Sequence, residues 1–213
     1  MRRTAQLLAT FAFLLSGCST DSALQTESHL SHQGGIALSS LSGSTSAQTL
    51  DALRQLTAPF HDVDSAQAQG YALFKNPLTA EDGCISSVQD GGMGYHYGRF
   101  NNLGDDSVSL LDPEFLVYAP DNGPRKDGVA RRRLAAFDYF ILYSAKWPGP
   151  DSPDFKRAPT TQDFSTMKDL PPVSFAPSRF GGWMFHIWLW EHNPSGMFAN
   201  WNPTVTLCEG SPF

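Results

Sequence analysis

The sequence predicts an α+β domain in which short N-terminal helices pack on a mainly antiparallel β-sheet. Leu50, Leu53 and Leu56 keep a helical spacing near the start of the domain. Further along, short runs rich in aromatic and β-branched residues alternate with Gly, Pro, Asn and Asp, which is typical of strands joined by turns. Helices at one end followed by a run of strands favour an α+β arrangement.

Two helices are predicted before the first strand. The first begins near Thr49 and ends at Pro59, because proline cannot continue a helix interior. A second, short helix follows, with Asp62 or Asp64 as its N-cap and Gly70 as its C-cap.

Four segments are the strongest strand candidates: Tyr95–Tyr97, Phe115–Tyr118, Leu134–Tyr143 and Gly182–Trp190. Residues 146–177 hold seven of the fifteen prolines and few periodic apolar positions. This stretch is predicted to be either a functional lid or an irregular surface loop.

The N-terminus is typical of an exported lipoprotein. Arg2 and Arg3 precede a short apolar run that ends in Leu15-Ser16-Gly17-Cys18, the form of a bacterial lipobox. We therefore expect a signal peptide over 1–17, a lipidated Cys18, a flexible polar tether over 18–47 and one globular domain over 48–213. Ser19 favours the outer membrane as the destination, facing the periplasm, and without lipidation the protein would be secreted.

Net charge and cysteine content indicate which partners are disfavoured and which cysteines pair. The chain carries a net charge of −6, and loss of Arg2 and Arg3 with the signal brings the mature protein near −8, which disfavours nucleic acid as a partner. If lipid consumes Cys18, then Cys84 and Cys208 remain as one pair, which we expect to form a disulfide outside the cytoplasm.

The densest functional signal lies in the last predicted strand. One face would carry Trp183, Phe185, Ile187 and Leu189, an ordinary core pattern. The other face would carry Met184, His186, Trp188 and Trp190, followed by His192. An aromatic and imidazole face suggests the wall of a binding pocket.

A second histidine lies in a glycine-rich strand segment. His96 should point away from its neighbours Tyr95 and Tyr97, and the expected disulfide would bring this segment towards that of His186. Three interpretations stay open. In the first, the two histidines bind copper or zinc together with His192 or a nearby methionine (Met93, Met184, Met197). In the second, aromatic side chains bind a small ligand (Tyr95, Trp188, Trp190). In the third, the histidines are structural.

Enzymatic signals are weak. The sequence lacks a nucleophile elbow, an HExxH pattern and a P-loop. Asp138, inside an apolar strand, could orient a histidine, act as a general base, or make a structural hydrogen bond. A small hydrolase or redox enzyme using His96, His186 and Asp138 is thus an alternative, as is an envelope protein acting through protein contacts.

Two motifs resemble those of a family of uncharacterised secreted bacterial proteins and lipoproteins. They are Gly92-Met93-Gly94-Tyr95-His96-Tyr97 and the stretch from His186-Ile187-Trp188-Leu189-Trp190 through Asn193-Pro194-Ser195-Gly196-Met197-Phe198 to Trp201-Asn202-Pro203. The resemblance covers roughly residues 60–208 and implies a shared domain without implying an activity. The favoured hypothesis is a lipid-anchored envelope protein that binds a ligand or metal and performs no catalysis.

Overall fold

The computed structural model describes residues 46–75, 83–121 and 132–208. Two α-helices open this part of the chain, α1 over Ser46–Thr57 and α2 over Val63–Ala68, with a 3₁₀ turn at Ala58–His61 between them. Asp62 caps α2 as predicted, since its side chain accepts a hydrogen bond from the backbone amide of Asp64. The predicted signal peptide, the lipidated Cys18 and nearly all of the tether lie outside the described residues.

Seven strands of the described chain form one antiparallel sheet. They are β1 (Ala72–Leu73), β2 (Cys84–Ser87), β3 (Gly91–Gly98), β4 (Phe115–Pro120), β5 (Arg132–Leu142), β6 (Ala176–Ser178) and β7 (Gly182–Ile187). Their order across the sheet is β1-β3-β4-β5-β7-β6, with β2 also pairing with β3. The α+β prediction is confirmed.

The register of the central strands separates two faces of the sheet. Residues paired directly across antiparallel strands share a face. Tyr97 pairs with Leu116, which pairs with Phe137, and this row belongs to the face we call the helix face. The next row, Gly98, Phe115, Asp138 and His186, belongs to the opposite face, which we call the histidine face.

The main core lies on the helix face. Leu53 of α1 and Ala66 of α2 are fully buried against it, as the helical spacing of the leucines predicts. Trp183, Phe185 and Ile187 supply the β7 side of this core, in agreement with the predicted alternation. Burial of aromatic side chains of this size contributes most of the packing energy of such a core.

The proline-rich stretch is largely irregular, as predicted, but part of it is buried. It forms two 3₁₀ turns, Thr161–Asp163 and Ser165–Met167, packs on the helix face and runs into β6. Phe164, Met167 and Phe175 are buried there. Part of the stretch therefore belongs to the core, and its weak apolar periodicity did not predict this burial.

The C-terminal segment covers the histidine face. Asn202 forms an antiparallel bridge with Gly92, and Val205 packs beside Val117, Ala136 and Trp188 in a smaller apolar cluster. The Cys84–Cys208 disulfide, with a Cα–Cα distance of 5.8 Å, fixes the end of this segment to β2. The predicted pairing is confirmed. Within the described residues, no helix is long and apolar enough to cross a membrane.

Candidate metal centre

Three side chains on the histidine face converge on one point. Asp138 of β5 and His186 of β7 are direct cross-strand partners. His96 of β3 reaches the same point from beyond β4, because the register aligns it with Ala136, two residues before Asp138. The predicted meeting of His96 and His186 is thus found, and Asp138 lies between them.

The three groups are close together but are not hydrogen-bonded to one another. Nε2 of His96 lies 3.8 Å from Oδ2 of Asp138, and Nδ1 of His186 lies 3.8 Å from Oδ1 of the same carboxyl. Both separations exceed hydrogen-bond length. One ligand atom from each residue lies within 4.8 Å of the other two.

The backbone fixes the orientation and tautomer of His96. Its Nδ1 is 3.1 Å from the carbonyl oxygen of Gly94 and 3.3 Å from that of Gly83. Both partners only accept hydrogen bonds, so Nδ1 carries the proton and donates it. Nε2 of the neutral ring therefore presents its lone pair towards Asp138. This is the arrangement by which proteins commonly orient a metal-binding histidine.

His186 is fully buried and its polar atoms are unsatisfied. Among the described residues, neither of its ring nitrogens has a partner in strict hydrogen-bond geometry, although the Asn200 side chain lies near enough to raise its pKa against the larger effect of burial, and Oδ1 of Asp138 likewise has no partner. An unpaired buried polar atom ordinarily costs about 1–3 kcal/mol. Polar atoms without partners on neighbouring buried side chains indicate a site that binds a ligand.

Burial disfavours the charged form of all three groups. Desolvation lowers the pKa of His96 to about 4, against the weaker opposing effect of its two carbonyl partners. Desolvation, followed by repulsion from His96, lowers the pKa of His186 to about 3, and the Asn200 side chain opposes this shift only weakly. Desolvation also raises the pKa of Asp138 well above its usual value. Neutral side chains are thus favoured over Asp–His ion pairs.

The cluster opens on one side to a cavity of about 440 Å³. His96 and Asp138 line this cavity, whereas His186 lies behind them. Around a tetrahedral zinc ion with bonds of about 2.0–2.1 Å, two ligand atoms lie roughly 3.3–3.4 Å apart. Ligand atoms up to 4.8 Å apart therefore need to close by as much as about 1.4 Å to bind such an ion.

No protein-family model, curated protein or solved structure matches this chain. The resemblance of its two motifs to secreted bacterial proteins stays a prediction.

The other predicted site residues do not all lie at the cluster. Trp188 does, because its ring stacks on that of His186 with centroids 6.2 Å apart, and its Nε1 donates to the carbonyl of Ala199. Tyr95 lies on the helix face, where the guanidinium of Arg132 sits 3.8 Å above its ring. His192 is exposed and lies outside the group of potential ligands.

The prediction that Trp190 shares the histidine face is wrong. Strand β7 ends at Ile187, so the alternation that places Trp190 beside His186 does not continue. Trp190 instead packs against the helix-face core, with its ring 4.3 Å from that of His61 and its Nε1 3.4 Å from the hydroxyl of Thr57. The physical reason is the loss of the two-residue period beyond the strand end.

Two features of the site were underestimated by sequence reasoning. The sequence left three roles open for Asp138, although an acid inside an apolar strand is a strong signal for a buried polar site. The phenylalanines that line the cavity come from separate segments, and no local pattern brings them together. Met93 and Met184, proposed as metal ligands, are also in the cavity wall.

Proposed function

We propose that this protein binds one divalent transition-metal ion, zinc foremost, at His96, Asp138 and His186. The observation that carries the proposal is the convergence of three buried side chains, two of which, Asp138 and His186, have polar atoms without a hydrogen-bond partner among the described residues. A cation at this point would satisfy the lone pairs of both imidazoles and one carboxylate oxygen. It would thereby remove the cost of burying them unpaired.

The donor set favours zinc over copper(I). Two imidazoles and one carboxylate, with a further position open, form a donor set found in zinc sites. Copper(I) prefers sulfur; Cys84 and Cys208 are joined in the disulfide, so the sulfur donors in the cavity wall are the thioethers of Met93 and Met184, which lie outside the His96, Asp138 and His186 donor set proposed here. The same donors also suit iron(II), so metal identity is a measured outcome of the experiment below.

A metal-free catalytic dyad is less well supported. A general base needs to lie within hydrogen-bond reach of the group that it orients or deprotonates. Asp138 is 3.8 Å from each histidine, and burial holds both imidazoles neutral. The hydrolase alternative therefore requires the metal as well, and binding is the simpler proposal.

The proposed location is the cell envelope, with the protein anchored through lipid on Cys18. The lipobox pattern and the polar stretch after it support this proposal. The Cys84–Cys208 disulfide is consistent with it, because such bonds persist in oxidising compartments. Mass spectrometry of the mature protein from a membrane fraction would reveal an acylated Cys18 as the new N-terminus; an unmodified N-terminus elsewhere would contradict the proposal.

The metal proposal is tested by elemental analysis. Protein purified with its disulfide intact is exposed in separate samples to zinc, to copper(II) and, without oxygen, to iron(II); each sample is desalted and its metal content measured. The expected result is close to one zinc ion per chain in the wild type and less than a tenth of that in His96→Ala and Asp138→Asn.

His192→Ala is the matched control, since this histidine is exposed and outside the cluster. It should retain full metal content. Equal, negligible metal in the wild type and the cluster variants would end the proposal. Loss of metal in His192→Ala would show that the ligands were wrongly assigned.

A further inference from the structure

Five phenylalanine rings form the largest single group of side chains lining the cavity beside the proposed metal centre. Phe74, from the end of β1, contacts Phe100, Phe115 and Phe180, with ring centroids 6.3, 6.3 and 5.3 Å apart. Phe115 contacts Phe140 in turn, at 6.0 Å. Most of these pairs meet edge to face, a geometry that aromatic rings prefer. Mutual ring contacts of this kind hold the wall in place without an occupant.

Polar groups in the cavity are few, and the metal-binding ones lie together. Among the described residues that line it are His96 and Asp138, next to the proposed metal position. Arg179 also lines the cavity and is exposed, with its guanidinium 5.3 Å from the ring of Phe180. An apolar chamber with a few convergent polar groups is the usual form of a small-molecule site.

The charge at the site favours an anionic oxygen. A divalent ion held by one carboxylate and two neutral imidazoles leaves a net charge of +1 beside an apolar wall. Such a charge is costly unless an anion approaches it. The guanidinium of Arg179 adds positive charge along the same cavity, and a carboxylate is the simplest anionic ligand for zinc.

We propose that the metal-loaded protein binds a medium-chain monocarboxylate, with its carboxylate on the open position of the metal and its hydrocarbon chain against the phenylalanine wall. This inference rests on the proposed metal function. A cavity of about 440 Å³ holds roughly fifteen non-hydrogen atoms at the ~30 Å³ that each water occupies in the liquid. A saturated acid of about ten to twelve carbons fits that space.

The test is calorimetric titration of decanoate into protein carrying stoichiometric zinc, and into the same protein after zinc removal. We expect at least ten-fold tighter binding to the zinc form. Decan-1-ol, which keeps the chain but lacks the charge, should bind at least ten-fold more weakly than decanoate. Acetate, which keeps only the head group, should give no measurable heat.

Leu103→Trp tests whether the hydrocarbon chain of decanoate binds in this cavity. Leu103 lines the cavity from the turn after Phe100–Asn102, outside the strands, so a larger side chain there fills the chamber without altering the sheet. This variant should retain one zinc and lose at least ten-fold in decanoate affinity. Val88→Trp is its control: this exposed position lies in the turn between β2 and β3, and binding should be unchanged.

The outcomes separate the two proposals. Full zinc content with no decanoate binding overturns the ligand proposal and leaves the metal site standing. Equal decanoate affinity with and without zinc, or unchanged affinity in Leu103→Trp, overturns the proposed binding mode. Absence of zinc, measured independently by elemental analysis, overturns both.

Discussion

At the scale of single residues, the fold buries two acids and raises the pKa of each. Asp138 is one, and Glu114, just before β4, is another. Desolvation raises the pKa of Glu114 to about 9, although it accepts a hydrogen bond from the backbone amide of Phe140. Near neutral pH, Glu114 therefore keeps a proton in the folded state that it loses in water. The free energy of unfolding should therefore depend on pH.

Glu114→Gln isolates one part of this dependence. The unfolded side chain ionises above its usual pKa of 4.5, while the folded one stays protonated until about pH 9. The wild type therefore loses stability as pH rises through this window, by up to ~1.4 kcal/mol per unit. Glutamine keeps the acceptor for Phe140 but cannot ionise.

We expect Glu114→Gln to be close to wild type near pH 4.5 and increasingly more stable than wild type towards pH 9. Urea denaturation at several pH values measures the difference. Asp154→Asn, at an exposed acid, is the control and should show no such trend. A difference that does not change between pH 5 and pH 9 would show that Glu114 ionises in the folded protein.

At the scale of elements, β3 is specialised to position His96. Gly94 has a φ of 106°, in the region that favours glycine, and its carbonyl oxygen accepts the proton of His96 Nδ1. A Cβ atom on this residue would lie 2.5 Å from the carbonyl oxygen of Tyr118 in β4. The close approach of β3 to β4 and the orientation of His96 therefore depend on the same glycine.

Gly94→Ala should disturb both the packing of β3 against β4 and the orientation of His96. The positive φ alone costs about 1–3 kcal/mol for a residue with a side chain, and relief of the contact with Tyr118 requires β3 to move. We expect lower thermal stability and a zinc affinity at least ten-fold weaker, measured by calorimetry.

Gly104→Ala is the matched control, because a Cβ there meets no heavy atom within 4 Å and its φ is not positive. It should match the wild type in both measurements. If Gly94→Ala binds zinc with unchanged affinity, then the carbonyl of Gly94 does not determine the orientation of His96.

At the scale of the whole molecule, the disulfide joins β2 to the C-terminal segment that covers the histidine face. Residues 84 and 208 are separated by 124 positions, and the segment between Asn200 and Cys208 covers the side of the sheet where the cluster lies. That segment is also held without the disulfide. Asn202 is fully buried, bridges to Gly92 and donates to the carbonyl of His192.

Cys84→Ser/Cys208→Ser should therefore lower stability without removing the metal site. The chain-entropy model gives a loss of about 4–5 kcal/mol for a loop of this length. We expect a lower midpoint in urea, with zinc content still near one per chain. Wild-type protein treated with reductant is the parallel measurement. Loss of zinc in the folded double variant would show that the disulfide, rather than the hydrogen bonds of Asn202, holds the cover over the site.

The sequence by itself determined the fold class, the four main strands, the cap at Asp62 and the disulfide. These depend on local periodicity, on capping chemistry and on a cysteine count, all of which are readable along the chain. Alternation also placed His96 opposite Tyr95, and His186 opposite Trp183 and Phe185. Its failure at Trp190 shows its limit, since alternation is informative only while a strand continues.

Only the tertiary structure decided what the histidines face. Asp138 and His186 became partners through the register of β5 with β7, and His96 joined them across β4. Register depends on the pairing of distant strands, and a shift of one residue would turn Asp138 to the other face. The phenylalanine wall likewise combines residues from separate elements. The sequence thus supplies the ligands, and long-range strand pairing determines that they form one site.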